Sequence, residues 1–202
     1  MVGIIDYGVG NLFSLESSLG YLGIKAKLVS TEAEIRECER IILPGVGAFG
    51  DAAAALKKNG LDKTVKAVAK EGIPLLGICL GMQLLFEKGY EFGEHEGLGL
   101  IPGSVVPIEP LVKGNKIPHI GWNSLSLSEN KGGIYKYTDD GDFVYFVHSY
   151  HAECPEEYIT ATTEYGGILT ASVQNGNVMG AQYHPEKSGD IGLKILKSFC
   201  EF

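Results

Sequence analysis

Residues 77–85, with the sequence GICLGMQLL, constrain the fold of this chain more than any other stretch. The apolar run at 73–76 ahead of them predicts a buried strand, and the run at 82–86 behind them favours a helix. Cys79 lies between the two runs, with a glycine two residues away on each side. This is the layout of a nucleophile elbow, where strand and helix come too close for side chains at the flanking positions. The N-terminus of the helix would then favour the thiolate of Cys79.

Cys79 has a second interpretation, as a structural cysteine, because a free cysteine packs like a small apolar residue. Two glycines placed symmetrically at a strand-to-helix junction favour the nucleophile instead. The other cysteines, Cys38, Cys154 and Cys200, are far apart and form no C-x-x-C pair, so we expect them in the core and predict no zinc ribbon or disulfide framework. This cysteine usage favours a reducing cytoplasm.

Composition excludes several classes of function. The chain has 202 residues and a net charge of −8 with no basic run, so it is a poor candidate for binding nucleic acid. No apolar segment reaches the roughly 18 residues that a membrane-spanning helix needs. The first residues lack the basic region of a signal peptide and predict a strand. The length fits a single domain, which we expect to span residues 1–202.

Strands and helices alternate along the first half of the chain, which predicts βαβ units and a parallel sheet. Thr31 and Glu34 have the spacing of a capping box and predict one additional short helix. The other elements of this half are expected as strands at 2–5, 25–29, 40–43 and 73–78, and as helices at 12–22, 49–56 and 61–70.

The second half of the chain changes character. Residues 89–118 are rich in Gly and Pro and show weak periodicity. Short connectors such as Asn175-Gly176 predict hairpins between the strands that follow, so part of this half is antiparallel. The predicted elements are strands at 122–127, 143–148, 158–164, 168–174 and 178–183, and a closing helix at 191–199. We therefore expect an α/β domain with an open mixed sheet, mainly parallel in the first half and antiparallel in the second, flanked by helices.

His184 is the histidine best placed to serve Cys79 as a base. It follows a predicted strand, and sites in α/β proteins collect at strand ends. Pro185 restricts His184 to extended backbone, in which residues two apart point the same way, so Glu186 would orient the imidazole. The alternative is a solvated surface turn, which the H-P-E sequence alone does not exclude. Together with the elbow, a nucleophilic triad is favoured.

A thiolate that attacks a carbonyl also needs donors for the oxyanion. The amide of Leu80, directly after Cys79, is one natural donor, and the glycine-rich turn at 44–47 could present a second; each donor is worth about 100- to 1,000-fold in rate. That turn has an equally good interpretation as a plain connector. His148 and His151 would point to opposite faces of a strand, a poor arrangement for one metal.

Two further features keep alternatives open. The glycine-containing loop at 6–11 has the look of a phosphate cradle but matches neither a dinucleotide fingerprint nor a P-loop. Trp122, the only tryptophan, fits either a core position or a partner surface.

These segments together resemble the class I (triad) glutamine amidotransferases, and within them the glutaminase subunits of imidazole glycerol phosphate synthases. The elbow and the H-P-E sequence mark the class. The P-G-V-G turn and the G-W-N segment are similar to the narrower group. The resemblance runs nearly the full length of the chain, over residues 6–11 (DYGVGN), 44–47 (PGVG), 77–85, 118–123 (PHIGWN), 145–150 (YFVHSY) and 184–188 (HPEKS). It implies a flavodoxin-like open sheet.

The resemblance also implies a chemistry. Cys79 would attack the side-chain amide of L-glutamine, His184 would move the protons and Glu186 would orient His184, which releases ammonia and then glutamate through a γ-glutamyl thioester. Val46 and Leu80 match the oxyanion-hole positions. The positions that match glutamine contacts are Gly47, Gln83, Glu91, His148, Ser149 and Tyr150. No metal or cofactor is implied.

A partner follows from the same resemblance. Ammonia would pass to a (β/α)₈-barrel cyclase subunit, which forms imidazole glycerol phosphate in histidine biosynthesis. Asn11, Trp122 and Lys187 match positions that face the cyclase, and the resemblance implies a glutaminase that is switched on by the nucleotide-bound cyclase through the Val46 amide. Three other interpretations remain: the amidotransferase of a different synthase, a stand-alone cysteine hydrolase, and a non-catalytic scaffold.

Overall fold

A mixed eight-stranded sheet forms the centre of the computed structural model, which describes residues 1–202. The strands of this sheet span Val2–Ile5 (β1), Ala26–Val29 (β2), Arg40–Leu43 (β3), Leu75–Ile78 (β4), Ser126–Leu127 (β9), Ile159–Glu164 (β12), Ile168–Asn175 (β13) and Val178–Ala181 (β14). Their order across the sheet is β2-β1-β3-β4-β14-β13-β12-β9. The five strands from β2 to β14 pair in parallel, whereas β14-β13-β12-β9 pair antiparallel. The predicted α/β class with its mixed sheet is confirmed.

Six helices flank the sheet, as the alternating pattern predicts. They span Leu12–Tyr21 (α1), Glu32–Arg36 (α2), Phe49–Lys58 (α3), Leu61–Lys70 (α4), Leu80–Gln83 (α5) and Gly189–Glu201 (α6). The predicted capping box at the start of α2 is confirmed, because Thr31 Oγ1 accepts from the Glu34 amide while Glu34 accepts from the Thr31 amide. No helix is both long and apolar enough to cross a bilayer.

Successive residues along the central strands pack into two separate cores, one on each face of the sheet. Ile5, Leu43 and Leu75 pack into one core with α2, α3 and α4, whereas Ile4 and Leu76 pack into the other with α1 and α6. This follows from the alternation of side chains along a strand. Because both faces are covered, the parallel strands are mostly apolar, and their carboxyl ends are left for chemistry.

Two smaller sheets lie outside the central one, and two of their six strands lie within residues 89–118, the region of weak periodicity. One consists of β8 and β10, which pair antiparallel. The other has the order β11-β7-β5-β6. Their strands span Phe86–Gly89 (β5), His95–Glu96 (β6), Ile101–Pro107 (β7), His119–Ser124 (β8), Phe143–His148 (β10) and Tyr150–Glu153 (β11). The sequence does not predict β5, β6, β7 or β11.

Two predictions about local structure are wrong. The helix expected over residues 82–86 is the single turn α5, and Phe86 already belongs to β5. The carbonyls of Leu84 and Leu85 instead accept from the amides of Leu98 and Leu100, so a tertiary contact replaces the next helical turn. The strand expected at 122–127 is two strands, β8 and β9, which belong to different sheets.

Candidate active site

The candidate site lies where the carboxyl ends of four adjacent parallel strands meet. Strands β1, β3, β4 and β14 are neighbours in the sheet, and each is followed directly by a segment of the site. In that order, Tyr7 lies just beyond β1, residues 44–47 follow β3, Cys79 follows β4 and His184 lies shortly after β14. The topology therefore gathers residues that are more than 170 positions apart in sequence.

The elbow at Cys79 has the strained backbone that a nucleophile elbow requires. Cys79 has φ +54° and ψ −112°, and it is one of three non-glycine residues with positive φ. A Cβ on Gly77 would lie 2.6 Å from the carbonyl oxygen of Gly81, and a Cβ on Gly81 would overlap the carbonyl oxygen of Leu43. Both flanking glycines are thus dictated by close backbone packing, as the sequence predicts. The bond from the Cys79 amide to the Ala181 carbonyl (2.7 Å) secures the turn.

His184 and Glu186 form a buried pair beside this thiol. His184 Nδ1 lies 2.8 Å from Glu186 Oε1, and the two side chains are 3% and 1% exposed. The expected route to this contact is wrong in part. His184 is extended, with φ −102° and ψ 98°, but Pro185–Lys187 form a 3₁₀ turn that brings the carboxylate back to the imidazole. The Ser188 hydroxyl stabilises this turn by donating to the His184 carbonyl at 2.7 Å.

The environment favours a protonated His184. Burial lowers the pKa of His184, but its hydrogen bonds with Cys79 and Glu186 more than offset this and raise the pKa to about 10. Because Glu186 is bound to Nδ1, the Nε2 position is the one left to exchange a proton with the thiol. The pair therefore has the arrangement of a base that is oriented by a carboxylate.

An open cleft of about 350 Å³ extends from the thiol. Most of the residues predicted for catalysis, for the oxyanion and for glutamine line it: Val46, Gly47, Cys79, Leu80, Gln83, Glu91, His148, Ser149, Tyr150 and His184. Glu186 supports His184 from behind. The structure thus brings these residues together, and their individual roles stay predictions. The cleft is large enough for a ligand the size of an amino acid.

Three predicted glutamine contacts are held in place by hydrogen bonds inside the protein. Gln83 donates both to the Tyr150 carbonyl and to Gln182 Oε1, each at 3.1 Å. Glu91 accepts from the Phe49 amide at 2.7 Å, at the start of α3, where the helix dipole favours a carboxylate. These bonds use both N–H groups of the Gln83 amide and leave Gln83 Oε1 and Glu91 Oε1 as acceptors for a ligand in the cleft.

A relay of side chains holds the segment from His148 to Tyr150. His148 Nδ1 lies 2.8 Å from the Tyr150 carbonyl and must be the donor, so Nε2 is the acceptor in the neutral ring. His119 Nδ1, 3.0 Å from His148 Nε2, must then carry the proton of that contact. Burial lowers the pKa of His148 to about 3 and that of His119 to about 4, which keeps both rings neutral. His148 acts in this geometry through the backbone it supports.

Of the three predicted partner-facing residues, Lys187 lines the cleft, whereas Asn11 and Trp122 lie outside its lining. Trp122 is 55% exposed and lies edge-on to the Tyr145 ring, with centroids 6.1 Å apart, so the partner-surface interpretation is favoured over a core position. Lys187 lies over the other side of this cluster, 6.0 Å from the Tyr145 centroid. Asn11 directly precedes α1 beside Gly10, whose backbone packs against Pro44.

Sequence reasoning missed four residues of the site. Tyr7 donates to the Pro44 carbonyl at 2.8 Å, and Gln182 Nε2 lies 3.9 Å from Cys79 Sγ. Pro118 lines the cleft and His119 supports His148. The position of Tyr7, two residues after the end of β1 in the parallel half, is the signal that could have identified it.

The remaining candidates do not form sites. His151 is buried on β11 and takes no part in the hydrogen bonds of the relay: neither of its ring nitrogens has a hydrogen-bond partner, and burial lowers its pKa to about 4. No three His, Cys, Asp or Glu side chains come together in a way that could hold a metal ion. Of the other cysteines, Cys38 is buried, whereas Cys154 and Cys200 are partly buried against the cores.

Comparison with known proteins gives one consistent family. The family model for glutamine amidotransferase class-I matches residues 3–201. The chain is 52% identical to "Imidazole glycerol phosphate synthase subunit HisH" of Caldanaerobacter subterraneus subsp. tengcongensis, over 100% of this chain and 98% of the relative. Proteins of the same name from Wolinella succinogenes and Lactococcus lactis are 48% and 50% identical, covering 100% and 98% of this chain and 99% and 96% of theirs.

Solved structures have the same fold at much lower identity. A crystal structure of a glutamine amidotransferase superposes with a TM-score of 0.77 at 20% identity, covering 99% of this chain and 97% of its own. The structure of PurLQS from Thermotoga maritima gives 0.78 at 21% identity, with the same coverage. These structures support the fold alone.

Proposed function

The chain belongs to the class-I glutamine amidotransferase family, and we propose that it is the glutaminase subunit of an imidazole glycerol phosphate synthase in histidine biosynthesis. The chemistry is carried by one observation: the thiol on the elbow shares a cleft with an imidazole that is bound at 2.8 Å to a buried carboxylate. The pathway is carried by the relatives, which are about half identical over nearly their whole length. Those relatives also argue against the amidotransferase of a different synthase.

The reaction follows from the position of each group. Cys79 Sγ attacks the side-chain amide carbon of glutamine while His184 holds the proton of the thiol. His184 then gives this proton to the departing nitrogen, which leaves as ammonia, and a γ-glutamyl thioester remains. Water, deprotonated by His184, attacks the thioester, and glutamate leaves as the thiol is restored. Glu186 keeps the imidazole in one orientation throughout.

The oxyanion formed in both steps needs fixed donors. The Leu80 amide lies at the start of α5 directly beside the nucleophile, and the turn at 44–47 supplies the Val46 amide from the next strand. Gly47, Gln83, Glu91, Ser149 and Tyr150 surround the rest of the cleft and would hold the amino acid part of glutamine. A carboxylate such as Glu91 suits the α-amino group.

We further propose that the partner is a (β/α)₈-barrel cyclase that receives the ammonia. Support comes from exposed apolar side chains near the cleft. Val46 lines the cleft and is 43% exposed, and Ile120 and Trp122 are 57% and 55% exposed on β8, where Ile120 pairs with the cleft residue Val147. Apolar side chains grouped around an open site suit a protein partner, and covering them would enclose the ammonia. Asn11, Trp122 and Lys187 would contact this partner, and the cytoplasm is the compartment that a thiol nucleophile favours.

Substitution of the nucleophile tests the proposal. In a complex with the cyclase, Cys79→Ala should abolish glutamine-dependent cyclisation, by about 10⁴-fold or more, and leave cyclisation with added ammonium salt unchanged. Cys38→Ala, which removes a buried thiol that is remote from the cleft, is the matched control and should keep both activities. Equal loss of both activities in Cys79→Ala would instead make Cys79 structural, and glutamine hydrolysis by Cys79→Ala at the wild-type rate would rule out the mechanism.

A further inference from the structure

We propose that Tyr7 is a positioning residue for the oxyanion site: its hydroxyl anchors the Pro44 peptide and thereby fixes the base from which the Val46 amide is presented to Cys79. This inference rests on the proposed function. Tyr7 does not line the open cleft, and it acts through the turn.

The anchoring bond is buried and specific. The Tyr7 hydroxyl donates to the Pro44 carbonyl at 2.8 Å, and both residues are buried. It is the only side-chain hydrogen bond that reaches the backbone of residues 44–47. Burial, and secondarily the neighbouring Cys79, raise the pKa of Tyr7, so the hydroxyl remains a donor at every working pH.

The turn has a fixed half, Pro44 and Gly45, which is buried and holds this bond, and a free half, Val46 and Gly47, which is exposed. A Cβ on Gly45 would lie 2.8 Å from the Gly81 amide nitrogen, 2.9 Å from Leu80 Cβ and 3.0 Å from the Tyr7 hydroxyl oxygen. Gly45 is therefore wedged between the elbow and Tyr7. Val46 is 43% exposed, and a Cβ on Gly47, at φ +97°, would meet nothing within 4 Å.

This division matters because the Val46 amide belongs to the first peptide beyond the fixed half. An oxyanion donor contributes only if it lies at hydrogen-bond distance from the charge that develops in the transition state. The elbow fixes the Leu80 amide through its own packing. The Val46 amide has no such packing, and the anchored Pro44 peptide is the nearest fixed point on its chain. Without the hydroxyl, a buried carbonyl loses its donor and the Pro44 peptide is free to turn toward another partner.

The test is Tyr7→Phe in the complex with the cyclase. We expect kcat for glutamine hydrolysis to fall by about 10- to 100-fold, a part of the roughly 100- to 1,000-fold that one donor is worth. KM should stay within about twofold, because the lost interaction exists only in the transition state. Cyclisation with ammonium salt should be unchanged, and kcat is expressed per Cys79 titrated with a glutamine-mimicking electrophile, so that only folded protein is counted.

Tyr135→Phe is the matched control. Tyr135 is also a fully buried tyrosine with a hydrogen-bonded hydroxyl, but its partners are Ser172 and Tyr183, away from the turn. If Tyr7→Phe keeps kcat within twofold of wild type, or loses no more than Tyr135→Phe, the positioning role is wrong. A wild-type complex without glutamine-dependent cyclisation would instead overturn the proposed function, so the two failures are distinguishable.

Discussion

The elbow and the turn at 44–47 present the two proposed oxyanion donors, yet they are built in opposite ways. Every residue of 77–83 is buried. A Cβ added to Gly77 would meet the backbone of Gly81, and one added to Gly81 would meet the backbone of Leu43. In the turn, Pro44 and Gly45 are buried whereas Val46 and Gly47 are exposed. The elbow is thus fixed by packing before any ligand arrives. The turn has one buried half and one exposed half, so packing alone fixes only the first of them.

The difference shows where each property of the enzyme resides. Strain at Cys79 is kept because the surrounding packing allows no alternative, which is how strained nucleophiles persist in folded proteins. Val46 combines exposure on the rim with a position beside the cleft. The rigid region therefore holds the nucleophile, and the exposed half of the turn holds the proposed second oxyanion donor.

The largest effect is expected from breaking the rigid region. Gly81→Ala would place a Cβ onto the Leu43 carbonyl, and neither backbone can move without disrupting β3 or β4. We expect a loss of about 3 kcal/mol or more in the free energy of unfolding, in the range of severe core substitutions. Urea denaturation of the purified chain measures it.

Gly20→Ala is the control for this substitution. Gly20 lies in α1 with nothing within 4 Å of an added Cβ, so alanine should stabilise the chain by roughly 0.5–1 kcal/mol through helix propensity. A Gly81→Ala protein as stable as wild type would show that the elbow is not held by close packing.

A second prediction uses the pH dependence of activity to distinguish the elbow and its His184–Glu186 pair from the turn, because residues 44–47 contain no titratable side chain. Glu186→Gln removes a hydrogen bond and a charge that raise the pKa of His184. We expect kcat to fall by about 10³- to 10⁴-fold, as when the orienting carboxylate of a triad is replaced. The alkaline limb of the kcat/KM profile should move to lower pH, whereas turn variants should leave that limb in place.

Stability should follow the same titration. The folded state raises the pKa of His184 from 6.5 to about 10, so this contribution to stability is complete below pH 6.5 and is lost as the pH rises through 10. The unfolding free energies of wild type and Glu186→Gln should therefore differ more at pH 6 than at pH 10.5, by at least ~1 kcal/mol, roughly the value of one pKa unit. A pH-independent difference would contradict the raised pKa.

The smallest effects on stability are expected from glycine substitutions within the turn, and they should differ between its two halves. Gly45→Ala meets the elbow and the Tyr7 hydroxyl and should cost about 2 kcal/mol, whereas Gly47→Ala meets no atom and should cost only ~1 kcal/mol from its positive φ. Thermal unfolding midpoints of the two variants rank them. Equal midpoints would mean that the turn is not divided at Gly45.

Much of this architecture follows from local pattern. Strands β1 and β3 and the helix α4 match their predicted bounds, because each is a buried or amphipathic run closed by turn residues. The strands β5, β7 and β11 were not predicted because pairing with neighbouring strands, rather than their own sequence pattern, makes them strands. Phe86–Gly89 is a strand through pairing with β7, although its own residues favour continuing the helix.

The same distinction between local pattern and tertiary contacts applies to the candidate site. The strain and crowding around Cys79 are local and can be predicted from two glycines in a strand–turn–helix sequence. The other cleft residues were predicted from the resemblance to a family. The sequence does not show how these residues are connected: a 3₁₀ turn, rather than extended chain, joins His184 to Glu186, and the relay from His119 to Tyr150 links three strands, β8, β10 and β11.

By itself, then, the sequence determined the nucleophile, its elbow and the parallel half of the sheet, because strand and helix periods and glycine requirements act over a few residues. Only the tertiary structure decided which half of the turn is exposed, that the Tyr7 hydroxyl binds the Pro44 carbonyl, and that a relay from His119 holds the segment from His148 to Tyr150. Those properties depend on contacts between residues that lie 29 to 37 positions apart in the chain. They exist only once the central sheet places β1, β3 and β4 side by side and β8 pairs with β10.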